Sequence, residues 1–267
     1  MYTDTHLHLD RREFAGEIDA VLARAQAAGV TRLINIGYDL PSSEASVALA
    51  GGDDRLRAAV GIHPHDALVI AGADGEVTPA GERALGRLAE LAADPRVVAI
   101  GEIGLDFYRD LSPRPAQRAA LRAQLALAAR LGLPVVLHVR DAHDDIVAEL
   151  EAAGVPARGG ILHSFAGGAD HAAWGVAHGF LLGIGGPVTY RNSGLPEILA
   201  GVAPEHLVLE TDAPWLPPVP HRGGRNEPAF LPLTAARVAE VYGIAAPELA
   251  RITGANVDRL CGARGWA

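Results

Sequence analysis

The 267-residue chain has no lysine, and all 23 of its basic residues are arginine. Schiff-base chemistry, a P-loop lysine and a carbamylated lysine bridging two metals are therefore excluded. Cysteine is nearly absent as well. The single Cys261 rules out a disulfide framework, a thiolate zinc site and a reactive cysteine pair, and fits the cell interior. No apolar run approaches the roughly 20 residues that cross a bilayer. A strand pattern already under way at Tyr2 leaves no room for a signal peptide. The expectation is a soluble cytoplasmic protein that makes no use of a membrane. A formal charge of -9 excludes a general basic surface, so extensive duplex binding is not expected. A polyanionic substrate must then be held by a local patch or by metal. No Pro/Gly/Ser linker, charge block or low-complexity tract interrupts the chain, which reads as a single domain over residues 1–267.

What the chain does have is alternation. β-type runs at 2–6, 32–37, 58–63, 97–102, 135–138, 160–163, 180–184 and 207–210 are separated by helical patterns. The first helix, near 17–28, lines up Ile18, Val21, Leu22 and Ala25 and stops at Gly29, a left-handed C-cap position. A second starts with Thr78 as N-cap and Pro79 in the first turn, turns Leu85, Leu88 and Leu91 inward, and ends before Asp94-Pro95. A third, near 115–131, repeats the pattern with Leu121, Leu125 and Ala128. Shorter helices fit at 42–50, 143–153, 169–178 and 194–201, and two more follow the last strand. From His6 to Asp212 the mean strand-to-strand step is about 29 residues, the length of a βα unit in an eight-fold barrel. The predicted fold is α/β, a (β/α)8 TIM-like barrel with extra C-terminal helices. A doubly wound open sheet is the alternative.

Six residues able to bind metal stand at or just past the ends of these runs: His6, His8, Glu102, His138, His163 and Asp212. In a parallel barrel the C-terminal strand ends share one face, where reacting groups collect. His6 and His8, two apart on an extended chain, point the same way and can reach one cation. Glu102 ends a run apolar on both faces, where an unpaired carboxylate is costly to bury. One carboxylate oxygen on each of two metals removes that cost, in the place that a carbamylated lysine would otherwise take.

The blocks D-T-H-L-H at 4–8, G-I-H-P-H at 61–65, G-E-I-G-L-D at 101–106 and L-H-V-R-D-A at 137–142 are followed by H-S-F-A-G at 163–167, E-T-D-A-P at 210–214, R-N-E-P at 225–228 and N-V-D-R-L at 256–260. Together these resemble the signature blocks of TatD-family metal-dependent deoxyribonucleases of the amidohydrolase superfamily. The resemblance implies that His6, His8, Glu102 and Asp212 hold one metal and that Glu102, His138 and His163 hold the other. Three departures are visible: Leu7 and Ser164 stand where cysteine is common, and Gly224 replaces a lysine frequent before R-N-E-P. The last of these bears on phosphate contacts and substrate affinity.

A pair of divalent ions, whether Mg²⁺, Mn²⁺ or Zn²⁺, with two carboxylates and a bridging hydroxide leaves a centre near roughly +1, which suits an anionic phosphodiester. Asp212 is the candidate to orient the attacking water and accept its proton. Glu210, two residues away, reads as a partner to a ligand or to substrate. His63 reads as a phosphate contact, a proton donor to the leaving group or a simple hydrogen-bond donor. Arg140, Arg222 and Arg225 are candidates for substrate phosphate, since guanidinium suits it. His65, His143, His171, His178, His206 and His221 read as ordinary histidines. The activity that the resemblance implies is hydrolysis of DNA phosphodiester bonds from a 3′ end, which for an acidic protein with a narrow cationic pocket is expected as a 3′-5′ exonuclease on single-stranded DNA ends, with no obligate protein partner. Hydrolysis of an ester or amide at the same site, such as an aminoacyl-tRNA ester or a cyclic amide, is the alternative, because a barrel does not choose its substrate.

Overall fold

Eight parallel strands pair in strict sequence order in the computed structural model, which describes residues 1–266. They are β1 (Tyr2–Leu7), β2 (Val30–Ile36), β3 (Leu56–Val60), β4 (Val97–Asp106), β5 (Val135–Arg140), β6 (Gly160–Leu162), β7 (Phe180–Ile184) and β8 (Leu207–Leu209). The end of β1 meets the segment after β8: Asp212 N–H donates to His6 C=O at 2.8 Å and His8 N–H donates to Ala213 C=O at 2.9 Å. The sheet is thereby drawn into a nearly closed TIM-like barrel, as predicted. Helices cover its outside, which is why the strands are apolar on both faces and every residue of β4 is buried. They are α1 (Ile18–Ala27), α2 (Leu40–Gly52), α3 (Pro79–Leu91), α4 (Arg114–Leu131), α5 (His143–Ala153), α6 (Ala169–Ala177) and α7 (Leu195–Leu199), then α8 (Leu231–Tyr242) and α9 (Ala246–Cys261).

Local signals set the helix ends. Thr78 accepts from Gly81 N–H at 3.0 Å ahead of Pro79, and Gly29 follows α1 with φ +81°. In α3 it is Ala84 that is fully buried beside Leu88 and Leu91, whereas Leu85 is half-buried. The C-terminal helices seal the barrel. Asn256 donates to Pro204 C=O and Leu207 C=O at 3.0 and 2.7 Å, and Arg264 donates to Ala92, Asp94 and Val97 carbonyls. Cys261 is buried there, which pushes its thiol up to about 12 and leaves it inert. No single helix among the described residues is long and apolar enough to cross a membrane.

Most strand ends differ from the sequence reading by one or two residues, and two larger differences move site residues. β3 stops at Val60, so His63 lies beyond it as the N-cap of a short 3-10 helix (Pro64–Val69) and accepts from His65 N–H at 3.2 Å. β4 does not end at Glu102 but runs four residues further to Asp106, paired with β5 up to Arg140. Gly104 makes this extension sterically feasible. Its φ is +148°, and a Cβ on it would lie 1.9 Å from the His138 carbonyl oxygen.

Candidate metal centre

Strand register carries the candidate ligands to the C-terminal mouth of the barrel. His6 and His8 come from β1, His63 follows β3, Glu102 lies within β4, His138 lies within β5, His163 follows β6, and Asp212 follows β8. Their donor atoms fall into three overlapping sets: His6, His8 and Asp212; His6, Glu102 and His163; and His63, Glu102 and His138. All six sequence-predicted ligands are thus brought together. The grouping differs in one respect from the expectation, because His163 sits with His6 while His138 sits with His63. The His6 and His163 rings stack at 3.4 Å, whereas those of His138 and His163 are 6.5 Å apart.

The separations suit a shared cation better than direct hydrogen bonds. His6 Nε2 is 3.2 Å from His8 Nε2, 3.5 Å from Glu102 Oε2 and 4.0 Å from Asp212 Oδ1, and His8 Nε2 is 3.7 Å from that same Asp212 oxygen. Two ligands each about 2.1 Å from a tetrahedral ion lie about 3.4 Å apart. His6 Nδ1 is buried without a hydrogen-bond partner, and the donor set of imidazoles and carboxylates is one that divalent metals accept. The residues fit a metal centre.

Electrostatics at the mouth is dominated by burial and by carboxylate–imidazole pairing. Burial would push the Glu102 carboxyl up, but His63, His6 and His138 together hold it well below the usual range. Asp212 is likewise held down against burial, by His8, His163 and His6. Burial draws His63 well below the ordinary imidazole value, so it is neutral. His163 is raised to about 10 despite burial, chiefly because Glu210 Oε1 lies 2.9 Å from its Nδ1. Glu210 also accepts from Ser164 N–H at 2.6 Å, which places its carboxylate directly behind the His163 ring.

Two carboxylates that the sequence reading missed belong to the site. Asp106 accepts from or pairs with His138 Nε2 at 3.1 Å and His65 Nε2 at 2.9 Å, so His65, read as ordinary, lies at the edge of the centre. Asp4 is wholly buried, which lifts its carboxyl to about 7, and it ties β1 to the strand-8 exit by accepting from Thr211 N–H at 2.9 Å and Thr211 Oγ1 at 2.6 Å. Both occupy the quoted blocks, at the end of G-E-I-G-L-D and the start of D-T-H-L-H, which was the available signal.

The three candidate arginines part company. Arg140 lies 4.0 Å over the Tyr108 ring and Arg222 lies 4.6 Å over Tyr190, and neither has a carboxylate partner among the described residues. Arg225 is engaged away from the centre: it donates to Glu13 C=O, pairs with Glu17 at 3.1 Å and packs on Phe14. The exposed loop carrying Gly224 shows no contact to the centre. The R-N-E-P block acts instead through Asn226 and Glu227. Asn226, fully buried, donates to Thr211 C=O and Trp215 C=O at 2.7 Å each, pinning the turn that carries Asp212. Glu227 anchors this block to α1 through a two-pronged pair with Arg24. Asn226→Ala is expected to weaken cation affinity about 10- to 100-fold. Calorimetric titration of metal-free protein with Mn²⁺ measures this, and unchanged affinity would confine Asn226 to holding the loop.

Histidines and carboxylates converging on the C-terminal mouth of an eight-stranded barrel are the architecture of barrel-type metal-dependent hydrolases. A family model described as TatD related DNase matches residues 3–262. YabD of Bacillus subtilis, named as a metal-dependent hydrolase, is 38% identical over 261 residues, covering 97% of this chain and 98% of its own. The protein of Enterobacter lignolyticus named 3′-5′ ssDNA/RNA exonuclease TatD is 41% identical over 265 residues, covering 97% and 98%. Among solved structures, the TatD homolog YjjV of Escherichia coli K12 superposes with a TM-score of 0.88 at 33% identity over 97% of each chain. The chain belongs to the TatD family of metal-dependent hydrolases.

Proposed function

We propose that this enzyme is a 3′-5′ exonuclease acting on single-stranded DNA ends through a dinuclear centre. In this reading His6, His8, Asp212 and Glu102 hold one cation, and Glu102, His138 and His163, joined by His63, hold the other. The observation that carries the reading is the way Glu102 divides its oxygens. Oε2 faces His6 at 3.5 Å and His8 at 4.0 Å, while Oε1 faces His138, His63 and His163 at 2.9, 3.7 and 3.9 Å. A carboxylate with one oxygen turned to each ligand set is disposed to bridge. Relatives at 38–41% identity over nearly the whole chain bear the name of ssDNA/RNA exonucleases, which supports a nucleic-acid substrate.

Two divalent ions held there would supply a hydroxide near neutral pH and offset phosphodiester charge. The chain's own residues do the rest. Asp212, kept ionised by its histidine neighbours, accepts the proton of the attacking water. Glu210 fixes the orientation of His163. His63, neutral through burial, is suited to holding an ion or a phosphate oxygen and not to donating a proton to the leaving group. Arg140 and Arg222, unpaired and exposed, are the cations available to substrate phosphates.

The test is nucleotide release from a single-stranded DNA oligonucleotide. Chelator-treated protein is expected to lose at least about 100-fold in rate, and Mg²⁺, Mn²⁺ or Zn²⁺ to restore it. No nucleotide release under any reloading, alongside rapid hydrolysis of ester or cyclic-amide substrates, would replace this reading with an ester or amide hydrolase.

A further inference from the structure

Trp215 is 40% exposed although its backbone is hydrogen-bonded on both sides. Its N–H donates to Asp212 C=O at 2.8 Å, and its own carbonyl accepts from buried Asn226. The indole meets the His8 ring edge-on, with centroids 5.0 Å apart. Arg11 lies against it, its guanidinium carbon 5.1 Å from the indole centroid and 5.3 Å from the Tyr38 ring. Arg11 donates to the Tyr38 hydroxyl at 3.1 Å, which holds the cation between two aromatics, and its Nε faces Glu13 Oε2 at 3.9 Å. An aromatic surface kept open to solvent beside a ligand histidine, and stiffened from behind, is what a flat guest requires.

We infer that Trp215, backed by Arg11 and Tyr38, is a stacking seat for the base of the nucleotide being removed, an inference that rests on the exonuclease reading above. Each nucleobase presents a π-face, so such a seat accepts every base and favours the larger purines, and the adjacent cation strengthens the stack. The contact with His8 places the seat beside the set formed by His6, His8 and Asp212. Orienting the terminal base therefore orients the scissile phosphate attached to it. The chain thus selects for a base at the strand end without reading sequence.

The experiment compares single-stranded oligonucleotides identical except for the 3′-terminal residue, adenine or abasic. Wild-type protein is expected to favour the adenine end about 10-fold in kcat/KM, with Trp215→Ala bringing the ratio near one and Trp215→Phe retaining most of it. In a Glu102→Gln background, which prevents turnover, a terminal 2-aminopurine should be quenched on binding, and the quenching should disappear with Trp215→Ala. A wild-type ratio near one, or unquenched binding, overturns the seat and leaves the exonuclease reading standing. An equal loss on both ends in Trp215→Ala makes the indole a wall that screens the centre, which also overturns it. Absence of nucleotide release from either strand by wild-type protein removes the exonuclease reading, and the seat with it.

Discussion

Glu102→Gln is expected to cut single-stranded DNA degradation by at least about 10³-fold while the barrel stays folded. Glutamine keeps the size of the side chain, so the packing around this nearly buried position is preserved. What disappears is the negative charge that two ligand sets share. Removing it asks two cations to sit among His6, His8, His63, His138 and His163 with only Asp212 and the more distant Asp106 and Glu210 to offset them. The same change should lower the number of ions retained per chain, measured by elemental analysis after gel filtration. An activity loss below tenfold with unchanged metal content would take Glu102 out of the bridging position and the dinuclear reading with it.

Gly104→Ala carries the largest expected stability effect. With φ at +148° the backbone lies where a side chain is strained in any surroundings, and the added methyl would meet the His138 carbonyl at 1.9 Å. β4 and β5 must separate to accept it, displacing Glu102 and His138 together. A loss of about 3 kcal/mol or more, or failure to accumulate folded protein, is expected, read as the urea midpoint. Gly86→Ala is the control with the opposite sign. Gly86 is exposed in α3 with open space where a Cβ would go, and alanine should stabilise that helix by about 0.5–1 kcal/mol. Equal midpoints for the two variants would show that the strand pair yields without cost.

The βα order, the barrel and the six candidate ligands that converge at its mouth could be read from the sequence because each rests on local information. Apolar runs, caps at Thr78 and Gly29, and polar residues at run ends are properties of a few neighbouring positions. What stayed hidden depends on partners far away in the chain. β4 continues to Asp106 because β5 pairs with it, and nothing in I-G-L-D distinguishes that from a turn. Arg225 looks like a free cation until Glu17, 208 residues earlier, is found beside it. The placing of His163 beside His6 depends on how the mouth closes, since stacking of His6 on His163 joins β1 to the end of β6 across the opening. Asp4 is invisible for a similar reason: its partner Thr211, 207 residues later, faces it across the barrel's seam.

That seam has a consequence for how the molecule lives and fails. The donors at the mouth are drawn from six of the eight strand positions and span the chain from His6 to Asp212, so a cation held among them would join segments that the backbone leaves 206 residues apart. Occupancy and unfolding then form one linked equilibrium, because an unfolded chain cannot keep these donors together. The supply of free divalent metal would set the lifetime of this enzyme as well as its rate, and starvation for metal would be felt first as loss of the protein itself.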